Sequence, residues 1–278
     1  MTGLSADRIA IGSYPYYRYS MDYFLDTASQ LGFSKVELWT AAPQIDLMDL
    51  SPAFCRDLRS KLKARNLTVC AITPEQCNYP FNLAAQEDSL RQRSVDYYCT
   101  AVDLAAELQC PWVLITSGSG YYDLPKDPAL RRSLDSIEKI ARHAVAHDVK
   151  LVYETLTPMS SNLVNSPAQV REMIDQLPAN SVFGLLDIGQ MTVMGQTVAE
   201  YGAALGDKLA HVHLHDTHPS CHMALGDGDL DLERIIGEIL ALGYGGLFSL
   251  ECNDARYRLD PRAADAKNAA WLRDHGIT

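Results

Sequence analysis

Four residues of types that commonly bind metal ions recur at long intervals in the second half of the chain. Glu154, Asp187, His213 and Glu251 are separated by 33, 26 and 38 residues, and each lies at or near the end of a short apolar segment. Two glutamates, one aspartate and one histidine form a mixed oxygen and nitrogen donor set, which suits Mn²⁺, Co²⁺, Mg²⁺ or Fe²⁺ better than a structural zinc. If the fold brings them together, they can bind a divalent cation.

The histidine belongs to an unusual apolar segment, AHVHLHDTH at residues 210–218. Valine and leucine alternate there with His211, His213 and His215, so the histidines share one face of a predicted strand. A single inward histidine is more often a hydrogen-bonded core residue than a metal ligand. Carboxylates at the ends of the neighbouring strands favour the ligand interpretation for His213.

The elements that must position these residues follow a repeated pattern. A short segment rich in Val, Ile, Leu or aromatic residues is followed by a loop and then by an amphipathic segment. This pattern is typical of parallel strands buried on both faces and connected by helices. The predicted strands are residues 8–14, 35–40, 68–75, 112–118, 150–155, 182–188, 211–216 and 247–252.

The intervening segments carry helix signals. Asp127 and Pro128 are typical of a helix start, and Ser166–Pro167 and Pro178 are predicted to bound another helix. Eight strands each followed by a helix, without a linker, predict an α/β fold: a (β/α)8 TIM barrel forming a single domain over residues 1–278. An open doubly wound sheet is the alternative, but its usual glycine-rich first crossover is missing.

Chemistry in such barrels lies at the carboxyl ends of the strands. Those ends supply carboxylates or histidines in most of the predicted strands, namely Glu37, Glu75, Glu154, Asp187, residues 213–216 and Glu251. Five carboxylates at one mouth would repel each other, and desolvating even one costs several kcal/mol. Lys35 and Lys150 start their strands at the opposite end, so a divalent cation is the simplest source of positive charge. We expect Mn²⁺ first, with Co²⁺, Mg²⁺, Fe²⁺, Ni²⁺ or Zn²⁺ as alternatives.

Composition narrows the function classes. The net charge of −11 argues against a nucleic-acid partner, and no apolar run is long enough to predict a membrane helix. Seven cysteines without a C-x-x-C pair, and the absence of a leader-like start, predict reduced thiols in a cytoplasmic protein. Residues 225–239 begin like a calcium loop, but Leu232 stands where glycine is needed, so Asp231 is predicted to cap a helix instead.

Several segments resemble the xylose-isomerase-like barrel superfamily of sugar epimerases and isomerases. They are HLHD (213–216), ALGDGDLDL after it, ETLTPMSSNLVN from Glu154, LLDIGQ around Asp187, and SLECN around Glu251. Within the superfamily, ITPEQCNYPFNL (72–83) and LGDKLAHVHLHD are most similar to the fructoselysine 3-epimerase type of ketose 3-epimerase. The resemblance implies a metal held by Glu154, Asp187, His213 and Glu251, with Glu154 and Glu251 as the catalytic acid/base pair.

Two positions depart from many ketose 3-epimerases. Gln190 stands three residues after Asp187, where a histidine is common, and THPSCHM, with His218 and His222, stands where an arginine is common. Recognition of free ketohexoses therefore does not transfer to this chain. The predicted substrate-binding residues are Glu75, Asn78, Trp39, Gln190 and His222.

The resemblance implies an isomerase that inverts the carbon next to a ketone, C3, of a ketose or ketosamine such as fructoselysine. The alternatives are an aldose–ketose isomerase of the hydroxypyruvate isomerase type, a sugar or cyclitol dehydratase, and a non-catalytic sugar-binding subunit. DNA-repair endonucleases share the barrel but need a basic face and more histidines. We expect a small sugar substrate, no nucleic-acid or membrane partner, and a homo-oligomer, either a dimer or a tetramer.

Overall fold

Eight parallel strands close into a barrel in the order β1-β2-β3-β4-β5-β6-β7-β8. The structure is a computed structural model that describes residues 3–77, 79–218 and 221–277. The strands are β1 Ile9–Gly12, β2 Lys35–Thr40, β3 Thr68–Pro74, β4 Trp112–Ile115, β5 Lys150–Tyr153, β6 Val182–Asp187, β7 Leu209–Leu214 and β8 Leu247–Leu250. Each strand pairs with its neighbours, with register shifts beside Glu37 in β2 and Leu185 in β6, and β8 closes the barrel by pairing with β1 through Ile9 and Phe248.

Helices lie between successive strands, which confirms the predicted (β/α)8 TIM barrel. They are α1 Met21–Gln30, α2 Pro52–Ala64, α3 Asp88–Glu107, α4 Lys126–Ala146, α5 Pro167–Ile174, α6 Ile188–Val193, α7 Val198–Leu205, α8 Leu232–Ala241 and α9 Pro261–Asp274. Two short helices, α6 and α7, together occupy the connection between β6 and β7. No helix in the described part of the chain is long and apolar enough to cross a membrane.

Most strands are shorter than predicted at their carboxyl ends. The first ends at Gly12 instead of residue 14, and β4 ends at Ile115 instead of residue 118. The residues that follow leave the hydrogen-bond ladder and enter the loops at the barrel mouth. In contrast, β7 begins at Leu209, two residues before its predicted start.

Helix boundaries follow the expected capping chemistry with one exception. The Ser166 hydroxyl accepts from the amide of Gln169 at the start of α5, and Asp231 caps α8 in the same way. The prediction that Asp127 caps a helix starting at Pro128 is wrong, because α4 begins two residues earlier, at Lys126, and Asp127 lies in its first turn. A carboxylate in the first turn still interacts favourably with the positive end of the helix dipole.

The apolar core has two compartments. Strand residues that face outward, such as Val212 and Leu214, pack with the helices in one large cluster. Smaller groups without helix residues, Ala10 with Cys70 and Ala71, and Leu114 with Val152 and Leu185, form separate clusters of strand residues. The alternation of side chains along the strands places these groups inside the barrel, and the register shift between β2 and β3 allows the consecutive residues Cys70 and Ala71 to share that face. The buried polar residues of β6 and β7 therefore share the barrel interior with these apolar side chains.

Candidate metal centre and active site

The four predicted metal ligands lie at the carboxyl ends of the last four strands. Asp187 is the final residue of β6, His213 the fifth of β7, and Glu154 and Glu251 directly follow β5 and β8. All four are buried, and their ligand atoms lie within 4.8 Å of one another. The Nδ1 atom of His213 is 2.7 Å from Glu251 Oε2, 3.3 Å from Glu154 Oε1 and 3.7 Å from Asp187 Oδ2. This arrangement is a possible metal site.

The donor set fits a divalent cation. His213 Nδ1 and Glu251 Oε2 are buried and 2.7 Å apart, yet neither atom has a hydrogen-bond partner among the residues that the structure describes. Among the described residues, no lysine or arginine forms an ion pair with the three carboxylates. Buried carboxylates without compensating charge are costly, and four ligand atoms in a mixed oxygen and nitrogen set would supply a cation with most of its coordination.

Glu37 corrects one expectation about the strand ends. It is the third residue of β2 and is fully buried inside the barrel, so it does not belong to the mouth. Its carboxylate accepts hydrogen bonds from the hydroxyls of Tyr14 at 2.8 Å and Thr73 at 2.5 Å. It also lies 2.8 Å from His211 Nε2 and 3.1 Å from His213 Nε2. Glu37 therefore supports the cluster from below and was not recognised as such from the sequence.

The three alternating histidines, His211, His213 and His215, all point into the barrel but have different contacts. His211 contacts Glu37 and lies below the cluster, whereas His213 joins Glu37 to the carboxylates above. His215 Nε2 is 3.1 Å from Asp187 Oδ2, and its Nδ1 accepts a hydrogen bond from the backbone amide of His222. Of the three histidines, it is His213 that presents a nitrogen to the carboxylates of Glu154, Asp187 and Glu251.

Protonation of the carboxylates reflects two opposing effects. Burial raises the pKa of Glu251 to about 7, against the lowering effect of His213, and burial likewise raises the pKa of Glu154. Burial also disfavours charge on Asp187, but His215 and its hydrogen bond lower the pKa of Asp187 below its usual value. Asp187 is therefore held as a carboxylate, and the two glutamates are the groups with raised pKa values.

A cavity of about 220 Å³ opens above the two glutamates. Trp39, Glu75, Gln190 and His222 line it, so four of the five predicted substrate-binding residues meet at the mouth; Asn78 lies outside the described residues. Trp39 stacks on Tyr14 with ring centroids 5.7 Å apart. The described residues that line the cavity include no lysine or arginine.

Two mouth residues are occupied by loop contacts. The Gln190 side-chain oxygen accepts from the amide of Thr157, which ties the loop after β5 to α6. Asp216, predicted among the strand-end residues, instead anchors the loop after β7 by accepting from the amides of Thr217, Gly226 and Leu230. Its carboxylate is an anchor for the glycine-containing loop, which explains why an acidic residue stands there.

Sequence reasoning missed Tyr14 and Thr73 as supports of Glu37. The signal was available, because Glu37 lies between the outward residues Val36 and Leu38 and therefore had to point inward in mid-strand. A buried carboxylate in mid-strand requires several hydrogen-bond donors, and hydroxyls on the adjacent strands were the candidates.

Comparison with known proteins agrees with this architecture. The chain is 26% identical over 236 residues to the fructoselysine 3-epimerase of Shigella flexneri, which covers 84% of this chain and 86% of that protein. Two crystal structures have the same fold: the 3-keto-D-glucoside 4-epimerase of E. coli (TM-score 0.81, 18% identity, 96% of this chain and 99% of that chain), and the D-psicose 3-epimerase of Clostridium cellulolyticum H10 with D-tagatose (TM-score 0.80, 18% identity, 96% and 97%).

These relatives are epimerases, in agreement with the prediction of an enzyme of the isomerase class. The profile of the xylose isomerase-like TIM barrel family matches residues 25–275, which is most of the chain. This chain therefore belongs to the xylose isomerase-like TIM barrel family.

Proposed function

We propose that this protein is a metal-dependent epimerase that inverts C3, the carbon next to the ketone, of a ketose or ketosamine such as fructoselysine. The observation that carries the proposal is the placement of Glu154 and Glu251. They follow β5 and β8, which are three strands apart in an eight-stranded barrel, so the two carboxylates approach the cavity from different sides. Inversion at carbon requires one group on each face of the substrate.

In this mechanism one glutamate removes the proton from C3 and the other returns a proton to the opposite face. The roles exchange when the reaction runs in reverse, so each glutamate acts as a base in one direction and as an acid in the other. The raised pKa values of Glu154 and Glu251 suit groups that must be protonated in part of the cycle. Both side chains keep about a tenth of their surface exposed toward the cavity.

Asp187 and His213 would hold the cation together with the glutamates. Their side chains are at most 1% exposed, so they lie beneath the glutamates and are removed from the substrate. A bound divalent ion, which we propose to be Mn²⁺, would polarise the ketone and stabilise the negative charge of the enediolate. Glu37 fixes His213 so that Nδ1 faces the carboxylates.

The cavity supports a non-phosphorylated substrate. Its described lining offers carboxylates, amides, an imidazole and the Trp39 ring but no lysine or arginine, the side chains that usually bind phosphate. An indole ring can stack on the apolar face of a sugar, and the side-chain nitrogen of Gln190 and the His222 ring offer hydrogen bonds to hydroxyls. A ketosamine with a cationic tail is compatible with this acidic mouth, and the 26% identical relative is named for such a substrate.

The test is isotope exchange with a panel of ketoses and ketosamines in D₂O, with Mn²⁺ or Co²⁺ supplied. We expect deuterium at C3 together with formation of the C3 epimer. Glu154→Gln and Glu251→Gln should each slow the exchange at least about 100-fold, a typical acid/base contribution. Glu172→Gln, an exposed carboxylate on α5, is the matched control and should leave the rate unchanged.

The products separate this function from its alternatives. A shifted carbonyl would identify an aldose–ketose isomerase, and an alkene would identify a dehydratase. Metal and sugar binding without exchange for every substrate would identify a non-catalytic binding protein. Near-wild-type exchange by either glutamine variant would remove that glutamate from the acid/base pair.

A further inference from the structure

Outside the barrel, a group of side chains of metal-ligating type lies on the outer helices. Asp103 on α3 faces His143 on α4 and His147, the residue that caps the carboxyl end of α4. The three side chains are 54%, 31% and 39% exposed, and their ligand atoms lie within 4.8 Å of one another. We refer to these residues as the helix triad.

Helix geometry explains why the two imidazoles meet. His143 and His147 are four residues apart, so they lie on the same face one turn apart, and their ring centroids are 4.3 Å apart. Asp103 Oδ1 is 2.7 Å from His143 Nε2 and 3.6 Å from His147 Nε2. Both Nε2 atoms therefore point at the same carboxylate oxygen.

A backbone contact prepares one of the nitrogens for a metal. His147 Nδ1 lies 2.9 Å from the carbonyl oxygen of His143, an acceptor, so Nδ1 carries the proton in this hydrogen bond. In a neutral imidazole the other nitrogen, Nε2, then has a free lone pair directed at the triad. A metal-binding histidine is typically held in this way, with its second ring nitrogen donating to a carbonyl or carboxylate.

We propose that the helix triad binds a borderline transition-metal ion, zinc in particular, through His143 Nε2, His147 Nε2 and Asp103. Two imidazole nitrogens and one carboxylate form a donor set suited to zinc and disfavour Mg²⁺ or Ca²⁺, which take oxygen ligands. Three protein ligands leave the remaining positions for water, because the site is exposed. Zinc takes the place of the proton between His143 Nε2 and Asp103, and in the neutral imidazole that proton moves to His143 Nδ1.

The position of the triad indicates a structural role. Helices of this barrel run antiparallel to the strands, so the carboxyl ends of α3 and α4 lie near the amino ends of the strands, opposite the mouth. A metal there would tie α3 to α4, which pack directly against each other, without reaching the substrate cavity. Zinc bound to the triad should therefore raise the thermal stability of the protein and leave the mouth unchanged.

The test measures zinc bound per chain at equilibrium in the full-length protein and in His147→Gln. His147 is exposed, so this variant is expected to fold normally. We expect one fewer zinc per chain in the variant, whatever the mouth itself binds. The same difference of one should persist when Asp187→Asn is present in both proteins, which separates the triad from the mouth.

A second readout, the Tm, and a control variant complete the test. Zinc in excess should raise the Tm of the Asp187→Asn protein, and it should raise it less when His147→Gln is added, because the binding that stabilises the folded state is lost. As a control, His275→Gln removes a histidine at the carboxyl end of α9, outside the triad. It should change neither the zinc count nor the zinc-induced shift in Tm. Equal zinc counts with and without His147→Gln would overturn the proposal.

Discussion

His213 Nε2 lies 3.1 Å from Glu37 Oε1, and both side chains are buried in the barrel interior. A carboxylate can only accept, so Nε2 supplies the proton and Nδ1 is left facing the carboxylates of the mouth. The negative charge of Glu37 also makes the imidazole a stronger donor to a cation. The buried pair therefore connects the interior of the barrel with the candidate metal centre.

Replacing the Glu37 carboxylate should weaken metal binding. In Glu37→Gln the side chain keeps its shape, but its amide loses the negative charge and can present a donor to His213. We expect about 10- to 100-fold lower Mn²⁺ affinity, the range seen for outer-shell partners of metal ligands. Calorimetric titration with Mn²⁺ measures this.

Thr73→Val is the matched control, because it removes one donor to Glu37 and leaves the contact between Glu37 and His213 in place. It should lower Mn²⁺ affinity much less than Glu37→Gln does. Equal losses for both variants would show that general disorder of the interior, and not the charge of Glu37, determines the affinity.

A substitution at Asp187 should abolish metal binding without unfolding the protein. Its Oδ1 accepts from the amide of Gln190 and caps α6, a task that asparagine performs about as well. Asp187→Asn should therefore lose Mn²⁺ binding while its free energy of unfolding without metal changes by no more than about 1 kcal/mol. Elemental analysis and urea denaturation test the two halves of this prediction, with the exposed Asp175→Asn as the control. Full Mn²⁺ occupancy in Asp187→Asn would contradict it.

Gly189 is required by the position of His215. A Cβ added at Gly189 would lie 2.1 Å from His215 Cε1, and His215 is held by Asp187 and by the amide of His222. Gly189→Ala should destabilise the protein by about 1–3 kcal/mol, as overpacking does. Gly237, exposed on α8 with open space around it, is the opposite case, and Gly237→Ala should stabilise by up to about 1 kcal/mol. Urea denaturation should show the two changes with opposite signs.

The buried Asp265 should make the free energy of unfolding depend on pH. Burial raises its pKa to about 7, although Tyr16 and Asn268 donate hydrogen bonds to it. Between about pH 4 and 7 the folded protein keeps this proton and the unfolded chain has lost it. Stability contributed by Asp265 is therefore full below about pH 4 and falls by up to about 1.4 kcal/mol per pH unit until about pH 7.

The Asp265→Asn variant cannot titrate at this position. Its free energy of unfolding should fall less steeply from pH 5 to pH 7 than that of the wild type, as measured by urea denaturation at each pH. The exposed Asp274→Asn should keep the wild-type slope. Parallel curves for Asp265→Asn and the wild type would show that Asp265 ionises normally in the folded protein.

Much of the architecture was predictable because it depends on local patterns. Apolar strands, helix caps such as Ser166 and Asp231, and the spacing of Glu154, Asp187, His213 and Glu251 all appear directly in the chain. Parallel strands of one barrel end at the same face, so residues at four successive strand ends must lie near one another. The excess of carboxylates over lysine and arginine at these strand ends then predicts a bound cation.

The amino-acid sequence by itself determined the barrel and most of the residues at its mouth, since strand periodicity and strand-end position are local properties. Only the tertiary structure decided how deep in the barrel each polar side chain lies. Closure of the barrel brings the Glu37 carboxylate beneath His213, whereas the loop after β7 turns Asp216 away to bind backbone amides. Helix packing alone brought Asp103 to His143, 40 residues distant. These positions depend on contacts between segments far apart in the chain, which no local pattern specifies.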